Sequence, residues 1–312
     1  MKLKSYTFEG AAFQHELLME LIEDLGGWTI SEKILAQECT ITFTIPERDS
    51  SLIRDLILQL QAAYRESPLL GTEIAVVSPT IARHHLPHVL CDVGEFVRRM
   101  GAKNNMIGLG RGVGQRICQI TTRETKLIEE HDAAIIVLGN FKHCILNYKS
   151  KLISDLSIPF VVTGGPELTK EELDSLGIKY YVSGIGRLPY RFTLLSQIDK
   201  LDDIIQALIE CIEERRSLIA SDPLLISPFA IKDEIERQLP EYDDIASPAP
   251  IVPKLTGVRV KLPYSEFKDK LGEIMLGDYK LKELTRLRPS IWKEYTLIDI
   301  LTQSEAKHLK IM

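Results

Sequence analysis

Long apolar segments are absent from this sequence of 312 residues. No window approaches the roughly eighteen uncharged apolar residues that a membrane-spanning helix needs. Residues 1–9 lack the apolar core of a signal peptide. We therefore expect a cytoplasmic protein that has no membrane partner.

An excess of basic residues is absent as well. Lysine and arginine number 38 against 44 aspartates and glutamates, which gives a formal net charge of -6. Binding to nucleic acid without sequence preference needs a basic surface that neutralises phosphates. Nucleic acid is therefore not an expected partner.

Cysteine is scarce and scattered. The five cysteines are Cys39, Cys91, Cys118, Cys144 and Cys211, and this odd, widely spaced set does not match a disulfide framework. Free, buried or metal-bound thiols are the remaining interpretations. Cys39 alternates with apolar residues on a predicted strand, and Cys211 falls inside a predicted helix. Both are expected to be structural.

The first part of the chain alternates between strand and helix patterns. Its predicted elements are a strand near 4–8, a helix over 14–25, strands at 28–34 and 38–45, and a helix from Pro46 to about Tyr64. This order predicts an α/β protein that begins with a small ferredoxin-like or ACT-like β-α-β-β-α unit. We place that unit in residues 1–68.

From residue 71 onward, short apolar strands alternate with helices. The predicted strands lie at 73–77, 106–109, 133–138, 160–163 and 180–183. Strands this apolar, connected by helices, predict a parallel sheet with both faces covered. We expect a Rossmann-like parallel α/β domain over residues 71–217. On one of its helices, Glu129 and Glu130 are expected to form a solvated face.

Proline dominates the composition after residue 222. The prolines that interrupt this part are Pro223, Pro228, Pro240, Pro248, Pro250, Pro253 and Pro263. Such spacing favours extended chain over a packed domain. We therefore predict a Pro-rich extended arm with terminal helices over residues 218–312.

Histidine and cysteine are concentrated just after the predicted strand at 73–77. His84, His85, His88 and Cys91 follow it closely, at the carboxyl end of a strand, where open α/β sheets carry their ligand sites. Imidazole and thiolate are ligands for zinc, iron and iron–sulfur clusters. Alternatively, the histidines satisfy backbone groups of a tight loop, and Cys91 packs at the start of a helix.

A glycine-rich segment follows the predicted strand at 106–109. Its members are Gly108, Gly110, Arg111, Gly112 and Gly114, with Arg116 shortly after. Glycine lets the backbone approach a ligand closely and arginine pairs with anions, so these residues are candidates for cofactor binding. The spacing is neither G-x-G-x-x-G nor that of a P-loop. A flexible or cluster-cradling loop is therefore favoured over a nucleotide site.

Two further thiols follow predicted strands of the same sheet. Cys118 comes after the glycine-rich segment and Cys144 after the strand at 133–138. Because the carboxyl ends of parallel strands meet at one edge, Cys91, Cys118, Cys144 and the three histidines are predicted to converge as metal ligands. The alternative is that each thiol lies separately at a helix start and faces the core.

Several strings of this sequence resemble methanogenesis marker protein 7. They are GTEIAVVSPT at 71–80, RHHLPH at 83–88, NMIGLGRG at 105–112, LGNF at 138–141 and TGGP at 163–166. The resemblance covers roughly residues 10–190. That family is similar to the C protein encoded in the methyl-coenzyme M reductase operon, which shares a cysteine followed by a helix and a glycine-rich loop with arginine.

The resemblance implies a component of the archaeal, ATP-dependent complex that reductively activates methyl-coenzyme M reductase, the nickel enzyme of methanogenesis. The implied partners are the reductase and other activation-complex subunits, operon protein C among them. The implied cofactor is an iron–sulfur cluster, held or contacted near Cys91 for electron relay.

The resemblance implies a non-catalytic or electron-relaying subunit, and no catalytic residue is assigned. Two other function classes stay open. One is a small-molecule α/β enzyme that binds a phosphate-bearing ligand at residues 108–116. The other is a scaffold without a cofactor.

Overall fold

A computed structural model describes residues 3–79, 89–109, 120–185, 195–242, 245, 247, 249–309 and 311. The chain is a mixed α/β protein with a parallel five-stranded sheet and separate antiparallel sheets. It divides into two compact units. Unit 1 comprises Met1–Gly71 with Arg99–Ala102, and unit 2 comprises Thr72–Arg98 with Lys103–Met312.

Unit 1 is a four-stranded antiparallel sheet with two helices on one face. Its elements are β1 (Leu3–Ala11), a 3-10 turn (Ala12–Gln14), α1 (His15–Asp24), β2 (Trp28–Leu35), β3 (Glu38–Pro46), a 3-10 turn (Glu47–Asp49), α2 (Ser50–Gln59) and β4 (Ala63–Glu66). The strand order is β2-β3-β1-β4. The predicted alternation of β3 is confirmed, because Cys39, Ile41, Phe43 and Ile45 are buried in one cluster with residues of both helices, such as Ile22.

The second helix of unit 1 ends earlier than predicted. It stops at Gln59 rather than near Tyr64, because Gln61 adopts a φ of 54°, a left-handed conformation that an α-helix does not contain. The chain turns there and pairs with β1, with Tyr64 opposite Phe8. The predicted β-α-β-β-α order therefore gains a final strand.

Unit 2 begins with the parallel sheet. Its strands are β5 (Glu73–Ser78), β6 (Lys103–Gly108), β7 (Ala133–Val137), β8 (Phe160–Gly164) and β9 (Tyr180–Ser183). They pair in the order β6-β5-β7-β8-β9, and every pairing is parallel. All residues of β5 and β7 are buried, as expected for strands covered on both faces. The prediction of a parallel sheet is confirmed.

Helices cover both faces of this sheet. They are α3 (Val89–Arg99), α4 (Thr122–Glu129), α5 (Lys142–Asn147), α6 (Lys170–Ser175) and α7 (Leu195–Ser221), with a 3-10 turn at Lys149–Leu152. Ile128 of α4 and Ile145 of α5 are buried with Ile107 of β6 on one face. On the other face, the Asn104 side-chain amide donates to the Gly94 carbonyl of α3 at 2.7 Å.

The C-terminal part of unit 2 contains a second antiparallel sheet. Its elements are α8 (Pro228–Gln238), a 3-10 turn (Pro240–Tyr242), β10 (Ile251–Lys254), β11 (Gly257–Val260), α9 (Tyr264–Gly272), β12 (Met275–Leu276), β13 (Tyr279–Lys280), α10 (Leu281–Leu284), β14 (Thr285–Pro289), β15 (Thr296–Ile300) and α11 (Gln303–His308). The four-stranded sheet has the order β10-β11-β15-β14, and β12 pairs with β13.

The prediction of an extended arm over residues 218–312 is wrong for the described residues of that part. Ile231 of α8, Val258 of β11 and Ile298 of β15 belong to one buried apolar cluster, as in a packed domain.

The prolines of this part mark the ends and edges of its elements. Pro228 is the first residue of α8, where its missing N–H is tolerated, and Pro263 precedes α9. Pro253 lies in β10, an edge strand of the sheet. Frequent proline therefore reflects several short elements here rather than extended chain.

Within the described residues, each helix is either too short or too polar to cross a lipid bilayer.

Candidate functional site

The strand order of the parallel sheet reverses between β5 and β7. From β5 the chain passes through α3 to β6 on one side, and through α4 it returns to β7 on the other side of β5. In open α/β sheets, such a reversal opens a crevice at the carboxyl ends of the two strands, where ligands bind. Ser78 ends β5 and Val137 ends β7 at this edge of the sheet.

Three of the predicted site residues lie on described elements at this edge. Cys91 is exposed in the first turn of α3, which follows β5. Gly108 is the last residue of β6. Cys144 is half-buried in α5, which follows β7. The other predicted site residues lie outside the described residues; they are His84, His85, His88, Gly110, Arg111, Gly112, Gly114 and Cys118.

The two described thiols are on helices that cover opposite faces of the sheet. Cys91 belongs to α3 on the face of Asn104, whereas Cys144 belongs to α5 on the face of Ile107. Their helices therefore lie on opposite sides of this sheet edge. In the described part of the chain, no three His, Cys, Asp or Glu side chains are grouped as a metal ion would require. The convergence of Cys91, Cys118 and Cys144 stays a prediction.

The carboxyl edge continues past β7 as two loops, one after β7 and one after β8, that are hydrogen-bonded to each other. The Gly165 N–H donates to the Gly139 carbonyl at 3.3 Å, and a Cβ added to Gly165 would lie 2.6 Å from Oδ1 of Asn140. The Tyr181 hydroxyl donates to the Pro166 carbonyl at 2.6 Å, and burial raises the pKa of Tyr181 to about 12. This half of the edge is a rigid, hydrogen-bonded support.

An aromatic side chain is exposed beside this support. Phe141, between β7 and α5, is 74% exposed. The adjacent Lys142 ammonium pairs with Glu172 at 2.8 Å, and the His143 ring packs edge-on against Tyr148. An exposed aromatic at a ligand-binding edge is available to a ligand or a partner protein. Phe141 is not among the predicted site residues, although it lies three residues after the predicted strand at 133–138.

A buried ion-pair cluster lies at the opposite, amino end of the parallel sheet. The Arg259 guanidinium of β11 pairs with Oε2 of Glu73 at 2.8 Å and with Oε2 of Glu130 at 3.0 Å. The Trp292 ring lies 5.3 Å from the guanidinium carbon, a cation–π distance. All three charged side chains are almost fully buried. The cluster joins the parallel sheet to the C-terminal antiparallel sheet.

Backbone groups complete this cluster. The Asp132 carboxylate accepts the N–H of Glu73 at 2.8 Å and the N–H of Leu255 at 3.1 Å. The Glu130 carboxylate accepts the N–H of Ile291 at 2.6 Å. Burial raises the pKa of Asp132. Because these buried carboxylates are satisfied by internal donors, the cluster is a structural connection between two sheets rather than an open ligand site.

His131 lies in the same cluster as a neutral imidazole. Its Nδ1 lies 3.0 Å from the Leu127 carbonyl and therefore carries the proton, which leaves Nε2 to accept from the Asn105 amide at 2.9 Å. Burial lowers the pKa of His131 to about 4. The same Asn105 amide nitrogen donates to Glu73 at 2.8 Å.

The buried ion-pair cluster shows that one sequence prediction is wrong. Glu129 and Glu130 were expected to form a solvated helix face, but Glu130 is 3% exposed, and only Glu129 is partly solvated, where it accepts from Ser157. The local pattern could not show this, because the partner Arg259 lies 129 positions along the chain.

The two cysteines predicted to be structural are buried. Cys39 and Cys211 are each 2% exposed, which confirms that prediction. Burial raises the pKa of the Cys211 thiol to about 12, so this thiol stays protonated and unreactive.

Comparisons with known proteins cover most of the chain. A family model described as methyl-coenzyme M reductase operon protein C matches residues 3–274. A protein of Methanocaldococcus jannaschii, named "Uncharacterized protein MJ0094", is 42% identical over 301 residues, which are 96% of this chain and 94% of that protein.

Two solved structures show a remote likeness. Formyltetrahydrofolate deformylase from Burkholderia mallei shares 9% identity at a TM-score of 0.24 and matches over 63% of each chain. The GsuK RCK domain shares 11% identity at a TM-score of 0.27, over 99% of this chain and 63% of that chain. The chain thus spans less than two thirds of either structure, and TM-scores this low assign neither fold nor activity.

Proposed function

The chain belongs to the methyl-coenzyme M reductase operon protein C family, and on that premise we propose that it is a subunit of the archaeal complex that reductively activates methyl-coenzyme M reductase. Family membership carries the proposal and supports a role related to methanogenesis. Its partners are then the reductase and the other subunits of the activation complex. The chain acts as an assembly or electron-relaying subunit rather than as the catalyst.

The carboxyl edge of the parallel sheet is the proposed contact site for an iron–sulfur cluster. Cluster ligands are thiolates, or imidazoles in some centres, at a position that a partner can reach. Cys91 fits this requirement, because it is an exposed thiol beside the strand-order reversal. His84, His85, His88 and Cys118 are the further proposed ligands, with Cys144 on the other flank. When bound, such a cluster supplies one-electron transfer.

The chain's own residues have two tasks in this proposal. Cys91 presents its sulfur as a ligand from the first turn of α3. On the opposite flank, beside Phe141, the hydrogen bond between Gly139 and Gly165 joins the loops that follow β7 and β8. Gly108, Gly110, Arg111, Gly112 and Gly114 are the proposed cofactor-binding residues.

We also assign finer fold names to the two parts. The β-α-β-β-α-β order of unit 1, with strand order β2-β3-β1-β4, supports a ferredoxin-like fold. The strand order β6-β5-β7-β8-β9 with helices on both faces supports a Rossmann-like, doubly wound fold.

Anaerobic co-purification tests complex membership and the cluster separately. The full-length chain is purified from a methanogenic host, and reductase subunits, iron and acid-labile sulfide are measured. We expect the wild type to bring down the complex with iron and sulfide. The Cys91→Ser variant should keep the partners and lose most of the iron, whereas Cys211→Ala, which removes a buried thiol, should keep both.

Each outcome decides one part of the proposal. Absence of the reductase and its activation subunits from the wild-type preparation would refute complex membership. A wild-type complex without iron would refute the proposed iron–sulfur cluster, and so would a Cys91→Ser complex with unchanged iron content and activation. Either result would favour the scaffold without a cofactor.

A further inference from the structure

The helices of unit 1 expose large apolar side chains. Phe13 is 80% exposed, Leu17 54% and Leu52 50%. Single apolar residues at the surface are ordinary, but several on one face mark an interaction site.

These side chains line the seam between α1 and α2. Nε2 of Gln14, just before α1, donates to the carbonyl of Leu60, just after α2, at 2.7 Å, so the start of one helix lies beside the end of the other. Leu17 is one turn from Leu21, and Leu52 is one turn from Leu56.

Both Leu21 and Leu56 pack, partly buried, on the core of unit 1. An apolar stripe therefore runs outward from the core on both helices. We call Phe13, Leu17, Leu21, Leu52 and Leu56 the α1–α2 face.

Acidic residues border this face. The charged residues of α1 are Glu16, Glu20, Glu23 and Asp24, all of them exposed, and α1 contains no lysine or arginine. On α2, Asp55 and the basic Arg54 are both exposed, so the acidic excess comes from α1. An apolar stripe with carboxylates beside it is complementary to a helix that has leucine-type side chains on one face and lysine or arginine next to them.

We propose that the α1–α2 face of unit 1 binds a basic amphipathic helix of a partner protein. Phe13 is the proposed anchor, because a large, exposed aromatic side chain buries more apolar area on binding than the leucines beside it. The carboxylates of α1 attract the basic side chains and set the orientation of the bound helix. The proposal rests on unit 1 alone and is independent of the proposed function.

Binding of a synthetic helical peptide to the full-length chain tests this surface. The probe is a fluorescent peptide of about five helical turns, with leucine on one face and lysine on the other, and binding is followed by anisotropy. We expect Phe13→Ser and Leu17→Ser each to weaken binding about tenfold. The control Leu218→Ser, at another exposed leucine on α7, should leave binding unchanged.

Charge reversal provides a second test that does not alter the apolar stripe. The double variant Glu16→Lys with Glu20→Lys should weaken binding and flatten its dependence on salt, because these carboxylates are exposed and screened by ions. Thermal unfolding of each variant confirms that unit 1 stays folded.

Three results would overturn the proposal. The first is an affinity of the peptide that is the same for the wild type and all variants. The second is equally tight binding of a control peptide in which glutamate replaces lysine. The third is self-association of the wild type in sedimentation that Phe13→Ser abolishes, which would assign the face to a second copy of the chain.

Discussion

Replacing Arg259 by methionine tests the buried cluster that joins the two sheets of unit 2. Methionine keeps much of the apolar stem but removes the guanidinium, so the carboxylates of Glu73 and Glu130 remain buried without their cation. Removing one partner of a buried ion pair costs about 3–5 kcal/mol, because the remaining charge is uncompensated. We expect the free energy of unfolding of Arg259→Met to fall by that amount at neutral pH.

The size of this loss depends on pH. In the wild type, burial raises the pKa of Glu73, but the His131 ring when it is protonated and the charges of Arg259 and Lys254 together outweigh burial and hold that pKa below its ordinary value. A carboxyl group with a lowered folded pKa stabilises the fold above its unfolded pKa of about 4.3. That contribution disappears as the pH falls through the folded pKa.

Without Arg259, burial dominates the pKa of Glu73. The pKa then rises, and protonation at lower pH relieves the penalty of the buried charge. The difference in unfolding free energy between wild type and variant should therefore shrink as the pH falls toward about 4.

Urea unfolding at several pH values measures this difference. The matched control is Arg288→Met, because Arg288 pairs with Asp299 on exposed positions of the same sheet, and such surface pairs contribute about 0–1 kcal/mol. The reasoning is refuted if the loss in Arg259→Met is the same at every pH, or if Arg288→Met costs as much.

Three further predictions concern other sites. The unfolding free energy should fall by about 3 kcal/mol between the unfolded histidine pKa of about 6.5 and the folded pKa of His131, about 4. As the pH falls, His131 is protonated in the unfolded state before it is protonated in the folded state, so protonation favours unfolding. The His131→Gln variant should not show this loss of unfolding free energy. Gly165→Ala should lower the melting temperature by several degrees, because the new Cβ would lie 2.6 Å from Asn140, whereas Gly177→Ala tests backbone strain without a steric clash. If residues 108–116 bind a phosphate-bearing ligand, thermal shift with nucleotides should show stabilisation; no shift would count against the enzyme alternative.

The parallel sheet was predictable because its signal is local. Strands such as β5 and β7 are short and mostly apolar, and they are separated by helical patterns. The early end of α2 was not predictable, because it depends on the left-handed conformation of Gln61, a residue type without a strong preference for it.

The C-terminal sheet and the ion-pair cluster depend on contacts between distant residues. The prolines after residue 222 were interpreted as extended chain, yet Pro228 and Pro253 occupy a helix start and an edge strand. The role of Arg259 depends on its contact with Glu73, which lies 186 positions earlier in the chain. The same limit applies to the candidate site, where the sequence placed Cys91 and Cys144 after neighbouring strands but not on opposite faces of the sheet.

Recovery of reductase activity tests the central claim most directly. Inactive methyl-coenzyme M reductase is incubated with ATP and a reductant in extract from a methanogen strain that lacks this chain, with or without the purified protein. The proposal predicts activation only when the protein is added back. Equal activation with and without the protein would contradict its role in the activation complex.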